Sequence, residues 1–208
     1  MAAVSENPEE TPWKTVEIGP YLFDVPQSFE LIPGQGIDSY IGKLKGNGII
    51  FRFDYGNYSS GMVKSPDEFI RDDRWRYHLM YRSKADTNTL TVPGLLAYRP
   101  ARITDSLFAE GCDFIATCER DGVLFEAAVF LPEETEAHIF KIDTTAELYT
   151  KLTIARKPRA GTTGIYLKKI NGPRGWSRNA PALALFTDKL TKKQQCLAVT
   201  ILKTGRLR

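Results

Sequence analysis

The chain has 208 residues, of which 42% are hydrophobic and 25% charged, and its formal net charge is +3. These proportions are typical of a soluble globular protein that buries a core without disulfide bonds. No stretch approaches the roughly 20 consecutive apolar residues of a membrane-spanning helix. The length and composition therefore predict one soluble domain, or one domain with an appendage.

The small net charge hides a strong asymmetry along the chain. Residues 1–150 contain 14 Lys and Arg against 24 Asp and Glu, whereas residues 151–208 contain 14 against a single acid, Asp188. We predict a polar, disordered lead-in over residues 1–12 and an acidic domain over 13–157. Residues 158–208 are predicted to be a basic C-terminal extension.

Strand patterns dominate the first third of the predicted acidic domain. Three short runs between Thr15 and Ile32 have strand character and are separated by turn residues. Two further runs flank Gly46-Asn47-Gly48, where positive φ is easily adopted, so a hairpin is predicted there.

A helix is predicted to begin after Ser65 and to run to about Ser83. Ser65 can cap the helix, Pro66 suits its first position, and Glu68 can complete a capping box. The same capping pattern recurs at Thr144-Thr145-Ala146-Glu147. A second helix is therefore predicted from there to about Arg156, before the break at Lys157-Pro158.

The remaining sequence is again rich in strand patterns. A hairpin is predicted around Asp121-Gly122, because both flanking runs contain many β-branched and aromatic residues. Residues 136–142 and 164–170 also read as strands. Residues 187–204 fit an amphipathic helix, but the run CLAVTIL within them has equal strand character.

Hairpins, rather than alternating strand–helix units, predict an α+β fold in which an antiparallel sheet carries packed helices. This order of elements over residues 13–156, with the run YLFDVPQSF in which a strand leads into a proline, resembles the PsbP and Mog1 proteins. The resemblance implies a sandwich of sheet and helices, and it implies no site residues. The run IDSYIG…FRFDYGNYSS also resembles uncharacterised bacterial exported proteins.

The N-terminus has no basic region followed by an apolar run, which predicts a cytoplasmic protein. An exported protein that had lost its signal would look the same.

No motif for catalysis, metal binding or cofactor binding stands out. The two histidines, His78 and His138, lack Cys or His partners at metal-ligand spacing, and Gly34-Gln35-Gly36 lacks the third glycine of a dinucleotide fingerprint. Of the three cysteines, Cys112 and Cys118 are interpreted as small core residues. We therefore predict no metal and no cofactor, and we favour a protein that is not an enzyme.

Candidate binding residues fall in two stretches. The loop 53–62 offers Tyr, Ser and Gly, which make adaptable contact surfaces, and the stretch 71–77 places Arg beside Trp, a frequent recognition pair. The candidates are Tyr55, Tyr58, Ser59, Arg74, Trp75 and Arg76. The second stretch also fits a helix that lies over a sheet and covers its aromatic rings with Arg stems.

The leading functional hypothesis is a non-catalytic binding or accessory protein with an unknown protein or small-molecule partner. The first alternative is a nucleic-acid-associated protein that acts through residues 151–208, and the second is a small hydrolase that uses Asp54 or Asp38. Three interpretations of the basic segment stay open: it binds nucleic acid or an anionic membrane, it docks on the acidic domain, or it is foreign to that domain.

Overall fold

A computed structural model of the chain describes residues 12–170 and 180–208. It divides into two compact units. Unit 1 contains the described residues up to Val63 and those from Ala137 onward, and unit 2 contains Lys64–Glu136. These division points differ from the predicted boundary at Lys157.

The described residues form fifteen strands and three α-helices. They are β1 (Trp13–Ile18), β2 (Tyr21–Pro26), β3 (Glu30–Pro33), β4 (Tyr40–Gly46), β5 (Ile49–Gly56), α1 (Pro66–Arg71), β6 (Tyr81–Arg82), β7 (Leu90–Thr91), β8 (Gly94–Pro100), β9 (Phe114–Arg120), β10 (Val123–Val129), α2 (Glu133–Glu136), β11 (His138–Thr144), β12 (Leu148–Ala155), β13 (Thr162–Lys169), β14 (Ala182–Asp188), α3 (Lys192–Lys203) and β15 (Arg206–Leu207). Two 3-10 segments, Asp73–Leu79 and Ser106–Glu110, lie in unit 2.

Unit 1 is built on an antiparallel sheet of seven strands in the order β11-β12-β13-β14-β5-β4-β3. A smaller sheet, β1-β2-β15, and helix α3 pack on one face of it, which we call the inner face. Alternation along β5 produces this arrangement, because Phe51 and Phe53 point into the core and Arg52 points to the opposite, outer face. The core of unit 1 therefore lies between the large sheet and the layer of α3 and β2.

Unit 2 contains the three-stranded antiparallel sheet β10-β9-β8. One face of this sheet contributes Cys118 and Val129 to a small core that also contains Ile70 of α1. Cys112 and Cys118 are both buried and form no disulfide, as predicted, and the Cys112 thiol donates to the Leu107 carbonyl at 3.4 Å. β6 and β7 form a separate two-stranded pair.

The structure confirms an antiparallel fold, but the helices are shorter than predicted, so the protein is mostly β. The hairpins at Gly46-Asn47-Gly48 and Asp121-Gly122 are confirmed as β4–β5 and β9–β10. The helix predicted for residues 187–204 forms over the range of α3, with Thr191 as its cap.

The helix predicted from Thr144 to Arg156 is wrong, since these residues include strand β12. Thr145 does cap, but it caps a turn: its side-chain oxygen accepts from the amide of Leu148 at 3.1 Å, while its own amide donates to the Leu148 carbonyl at 2.9 Å. Thr and Ile residues then favour the extended backbone.

The helix predicted from Ser65 to Ser83 is correct only at its start. The Ser65–Glu68 capping box forms, but α1 ends at Arg71. Asp72 adopts an extended backbone (φ −74°, ψ 134°) and caps the 3-10 segment that follows. A residue that caps a new segment cannot continue the previous helix.

The described residues after Lys157 belong to unit 1. β13 and β14 are internal strands of its large sheet, and β14 pairs with β5. The last basic residues also contact acidic ones near the start of the chain: Arg206 pairs with Asp24, and Arg208 pairs with Glu17. These ion pairs join basic residues of the C-terminal segment to acidic residues of β1 and β2 within unit 1.

Candidate functional site

The loop candidates lie in and after β5 in unit 1. The Tyr55 ring packs against the core, with its centroid 6.1 Å from that of Tyr21. Tyr58 is 83% exposed, and the Ser59 hydroxyl donates to the Asp54 carbonyl at 2.9 Å. Of these three residues, Tyr58 is the one whose side chain is largely exposed to solvent.

The loop then crosses the outer face of the large sheet. A Cβ atom on Gly164 of β13 would lie 2.7 Å from the Met62 sulfur, and one on Gly61 would lie 3.2 Å from the Lys151 Nζ. The segment therefore covers β13 and β12 closely. This packing fixes the path of the loop that carries Tyr58.

The second group of candidates lies in unit 2 and makes mainly internal contacts. The Trp75 indole donates to the Ile70 carbonyl at 2.6 Å. Arg76 is 6% exposed and donates to the Pro93 carbonyl and to Asp73. Arg74 pairs with the Asp72 carboxylate. The two predicted groups thus belong to different units, and the polar atoms of the second are largely engaged within unit 2.

A cleft of about 470 Å³ opens in unit 1 where β14 turns towards α3. We call it the basic cleft. Its lining residues are Lys43, Gly48, Ile50, Arg52, Thr187, Asp188, Lys189, Leu190 and Gln194. Three of these side chains are cationic and one is anionic, so an anion would meet a favourable field in the cleft.

Asp188 is the one acidic residue of this lining, and its carboxylate is already engaged. One oxygen pairs with Arg52, and the other accepts from the Thr162 hydroxyl at 2.7 Å. The Arg52 guanidinium also lies 5.1 Å from the centroid of the Phe186 ring. Among the described residues, no acidic side chain forms an ion pair with Lys43 or Lys189, so their charges remain available to a ligand.

Further cations lie near the basic cleft. Lys192 and Lys193 occupy the first turn of α3, which contains no acidic residue. Cations there face the positive end of the helix dipole, at a typical cost of about 0.3–1 kcal/mol each. The backbone amide of Arg159 donates to the carbonyl of Leu190, a residue of the cleft lining, at 2.7 Å. Positive charge is thus concentrated at the N-terminal end of α3, where it lowers the stability of the helix.

A second cleft, also of about 470 Å³, adjoins the first on the outer face. We call it the apolar cleft. Its lining residues are Ile32, Pro33, Gly34, Ile41, Gly42, Lys43, Arg52, Phe53, Asp54 and Phe186. Lys43 and Arg52 line both clefts, so the two lie side by side along β4 and β5.

Register explains why these side chains meet. Arg52 pairs with Lys43 on one side and with Phe186 on the other, and Lys43 pairs with Ile32. Paired residues in neighbouring antiparallel strands point to the same face, so a row of four side chains crosses the outer face. Asp54 lies one row further along β5.

Asp54 bears a polar atom without a partner. Its Oδ1 is buried and accepts no hydrogen bond from the described residues. A buried acceptor without a donor is unfavourable by about 1–3 kcal/mol. Asp38, the other acid considered for hydrolysis, is exposed.

The two clefts are surface depressions of unit 1 that are lined by charged and apolar side chains. Within the described ranges, no group of three or more His, Cys, Asp and Glu side chains could hold a metal ion. Over the same residues, no helix is long and apolar enough to cross a membrane. Comparison with known proteins adds no relative: no family model matches the chain, and no match was found among curated proteins.

Sequence reasoning did not find Lys43, Arg52 and Lys189 as a group. They come from β4, β5 and the residue after β14, and only the strand order brings them together. One local signal existed, because Lys43 and Lys45 alternate with apolar residues along β4. That alternation places both lysines on one face of a strand.

Proposed function

We propose that this chain is a non-catalytic binding protein whose ligand carries negative charge and binds in the basic cleft. The observation that carries the proposal is the pairing pattern there: Lys43 and Lys189 have no acidic partner among the described residues, while Asp188 is occupied by Arg52 and Thr162. A cleft of about 470 Å³ lies within the usual size range of ligand sites.

Nucleic acid is a second candidate ligand, supported by the basic residues that remain exposed near α3, Lys189, Lys192 and Lys193. Other basic residues of the segment 151–208 are used internally, since Lys151 is buried and Arg206 is ion-paired. The basic surface is therefore smaller than the charge of the segment suggests, which favours a compact anion over a long phosphate backbone.

The test is isothermal titration calorimetry of the full chain with inorganic pyrophosphate at low salt. The variant Lys43→Ala/Lys189→Ala should weaken binding at least about tenfold, because two charge-assisted contacts are lost. The matched control is Lys141→Ala/Lys203→Ala, which removes two exposed lysines outside the lining of the cleft. The control should bind within about twofold of the unaltered protein.

A parallel titration with a labelled 20-nucleotide single strand separates the two candidates. If the strand binds tightly with a steep dependence on salt and pyrophosphate does not displace it, the ligand is nucleic acid. The anion site would be refuted if neither pyrophosphate nor the single strand binds. It would also be refuted if the control variant weakens pyrophosphate binding as much as the Lys43→Ala/Lys189→Ala variant does.

We also propose that the relationship to PsbP and Mog1 proteins concerns the fold alone. The antiparallel sheet with α3 packed on it supports this proposal. A superposition on members of that family that fails to align the seven strands of the large sheet would reject it.

A further inference from the structure

We infer that the ligand is a small amphipathic anion, whose charged head group occupies the basic cleft and whose hydrocarbon body lies in the apolar cleft. This inference rests on the proposed function and adds the chemical class of the ligand. The head group can be a carboxylate or a phosphate, since Lys and Arg bind both.

Adjacency of the two clefts is the first argument. Lys43 and Arg52 line both, so a molecule that lies along β5 over these two side chains can contact both clefts. From Ile50 to Asp54 the strand β5 advances by four residues, or about 13 Å. That distance fits a head group followed by a chain of about eight to ten carbon atoms.

Chemical contrast between the two clefts is the second argument. Beyond the shared cations, the apolar cleft is lined mainly by Ile32, Ile41 and Phe186 with backbone around Gly34 and Gly42. Ile32 is 43% exposed although it lines this cleft. A hydrocarbon body would remove such surface from water, which is the usual source of affinity in apolar sites.

Asp54 sets the direction in which the ligand lies. Its carboxylate lines the apolar cleft one strand row beyond Arg52, so an anionic group at that end would be repelled. The head group is thus directed to Lys43 and Lys189.

The experiment compares decanoate, hexanoate and acetate as competitors of pyrophosphate on the full chain. Each fully buried methylene strengthens binding by about fourfold, and a surface cleft buries only part of the chain. We expect decanoate to bind on the order of 10- to 100-fold more tightly than hexanoate. Decyltrimethylammonium, which has the same chain and the opposite charge, should not compete.

Two isoleucines of similar exposure provide a matched pair of variants. Ile32 lines the apolar cleft, whereas Ile139 is 41% exposed on the opposite edge strand, β11. Ile32→Gln, which adds no charge beside Lys43, should abolish the advantage of decanoate over hexanoate and leave pyrophosphate binding within about threefold. Ile139→Gln should change neither. Circular dichroism of both variants checks that they fold.

The outcomes separate this inference from the proposed function. If pyrophosphate binds but decanoate and hexanoate compete equally, the anion site stands and the amphipathic ligand is refuted. If no anion binds, both fail. A last arm uses vesicles of phosphatidylglycerol: binding to vesicles without competition by decanoate would assign the surface to a membrane and overturn the inference.

Discussion

The guanidinium of Arg206 donates two hydrogen bonds to the carboxylate of Asp24, one of 2.8 Å and one of 3.0 Å. The pair joins the last strand of unit 1 to its second strand and spans 182 residues of sequence. The sequence predicted that this C-terminal segment is an extension that follows the folded domain. Arg206 is instead bonded to a residue of the folded domain itself.

A chain that ends at Lys157 should not fold. It would lack β13 and β14, two internal strands of the seven-stranded sheet, and also α3, which contributes Ala198 and Ile201 to the core. We expect loss of cooperative unfolding in unit 1, measured by urea denaturation and circular dichroism. The control is a chain that ends at Gly205, which removes β15 and should remain folded. A cooperative transition in the 1–157 fragment would contradict this prediction.

Lys151→Met should lower the free energy of unfolding by about 1–3 kcal/mol. The Lys151 side chain is 1% exposed, and its Nζ donates to the Val63 carbonyl at 3.0 Å. Methionine keeps the apolar stem and removes the donor. Lys141→Met on the neighbouring strand β11 is the control, because Lys141 is exposed and its replacement should change stability by less than about 0.5 kcal/mol. Urea denaturation of both variants measures the difference.

Gly42→Ala should destabilise unit 1 by about 1–3 kcal/mol. A Cβ at this position would lie 2.5 Å from the Ile32 carbonyl oxygen and 2.5 Å from a ring carbon of Phe53, so the strands would have to separate. Gly34→Ala tests the same region without the clash, since its Cβ meets Ile41 only at 3.4 Å. Thermal unfolding that shifts equally in both variants would show that the close approach at Gly42 is not required.

Asp72→Asn should destabilise unit 2 at neutral pH and have progressively less effect in acid. Hydrogen bonds from Arg74, and then from Lys64, hold the pKa of Asp72 below its usual value of 3.8. The folded state therefore keeps the charge to lower pH than the unfolded state does. The stabilisation is complete above the usual value and is lost as pH falls through the lowered pKa.

We expect the Asp72→Asn difference to be about 0.5–1 kcal/mol at pH 7, because the carboxylate is partly exposed to solvent. Native-state hydrogen exchange of the amides in β9 measures it within unit 2. A difference that grows as the pH falls below 3.8 would contradict the assigned sign.

Turn chemistry was the part of the fold that the sequence predicted best. Asn47-Gly48 and Asp121-Gly122 adopt positive φ at both positions, a local requirement that few other residue pairs satisfy at low cost. Capping residues predicted the local structure less specifically. Ser65 begins a helix and Thr145 closes a turn, because a hydroxyl can accept from a nearby amide in either geometry.

The candidate site could not be predicted in the same way. Arg52 and Phe186 are paired residues of adjacent strands although 134 positions separate them, and that pairing depends on strand order. Trp75 and Arg76 form a conspicuous local pattern, yet their indole and guanidinium groups bond to backbone carbonyls within unit 2. Local density of Arg and aromatic residues did not distinguish a binding surface from internal packing.

The pairing of β5 with β14 has a consequence for synthesis of the protein. At a typical rate of about 5–20 residues per second, β14 leaves the ribosome on the order of 10 s after β5. During that interval the edge of β5 that later receives β14 is unpaired, while all of unit 2 is synthesised between them. An exposed strand edge attracts other chains, so the nascent protein is most vulnerable to aggregation before its basic segment emerges.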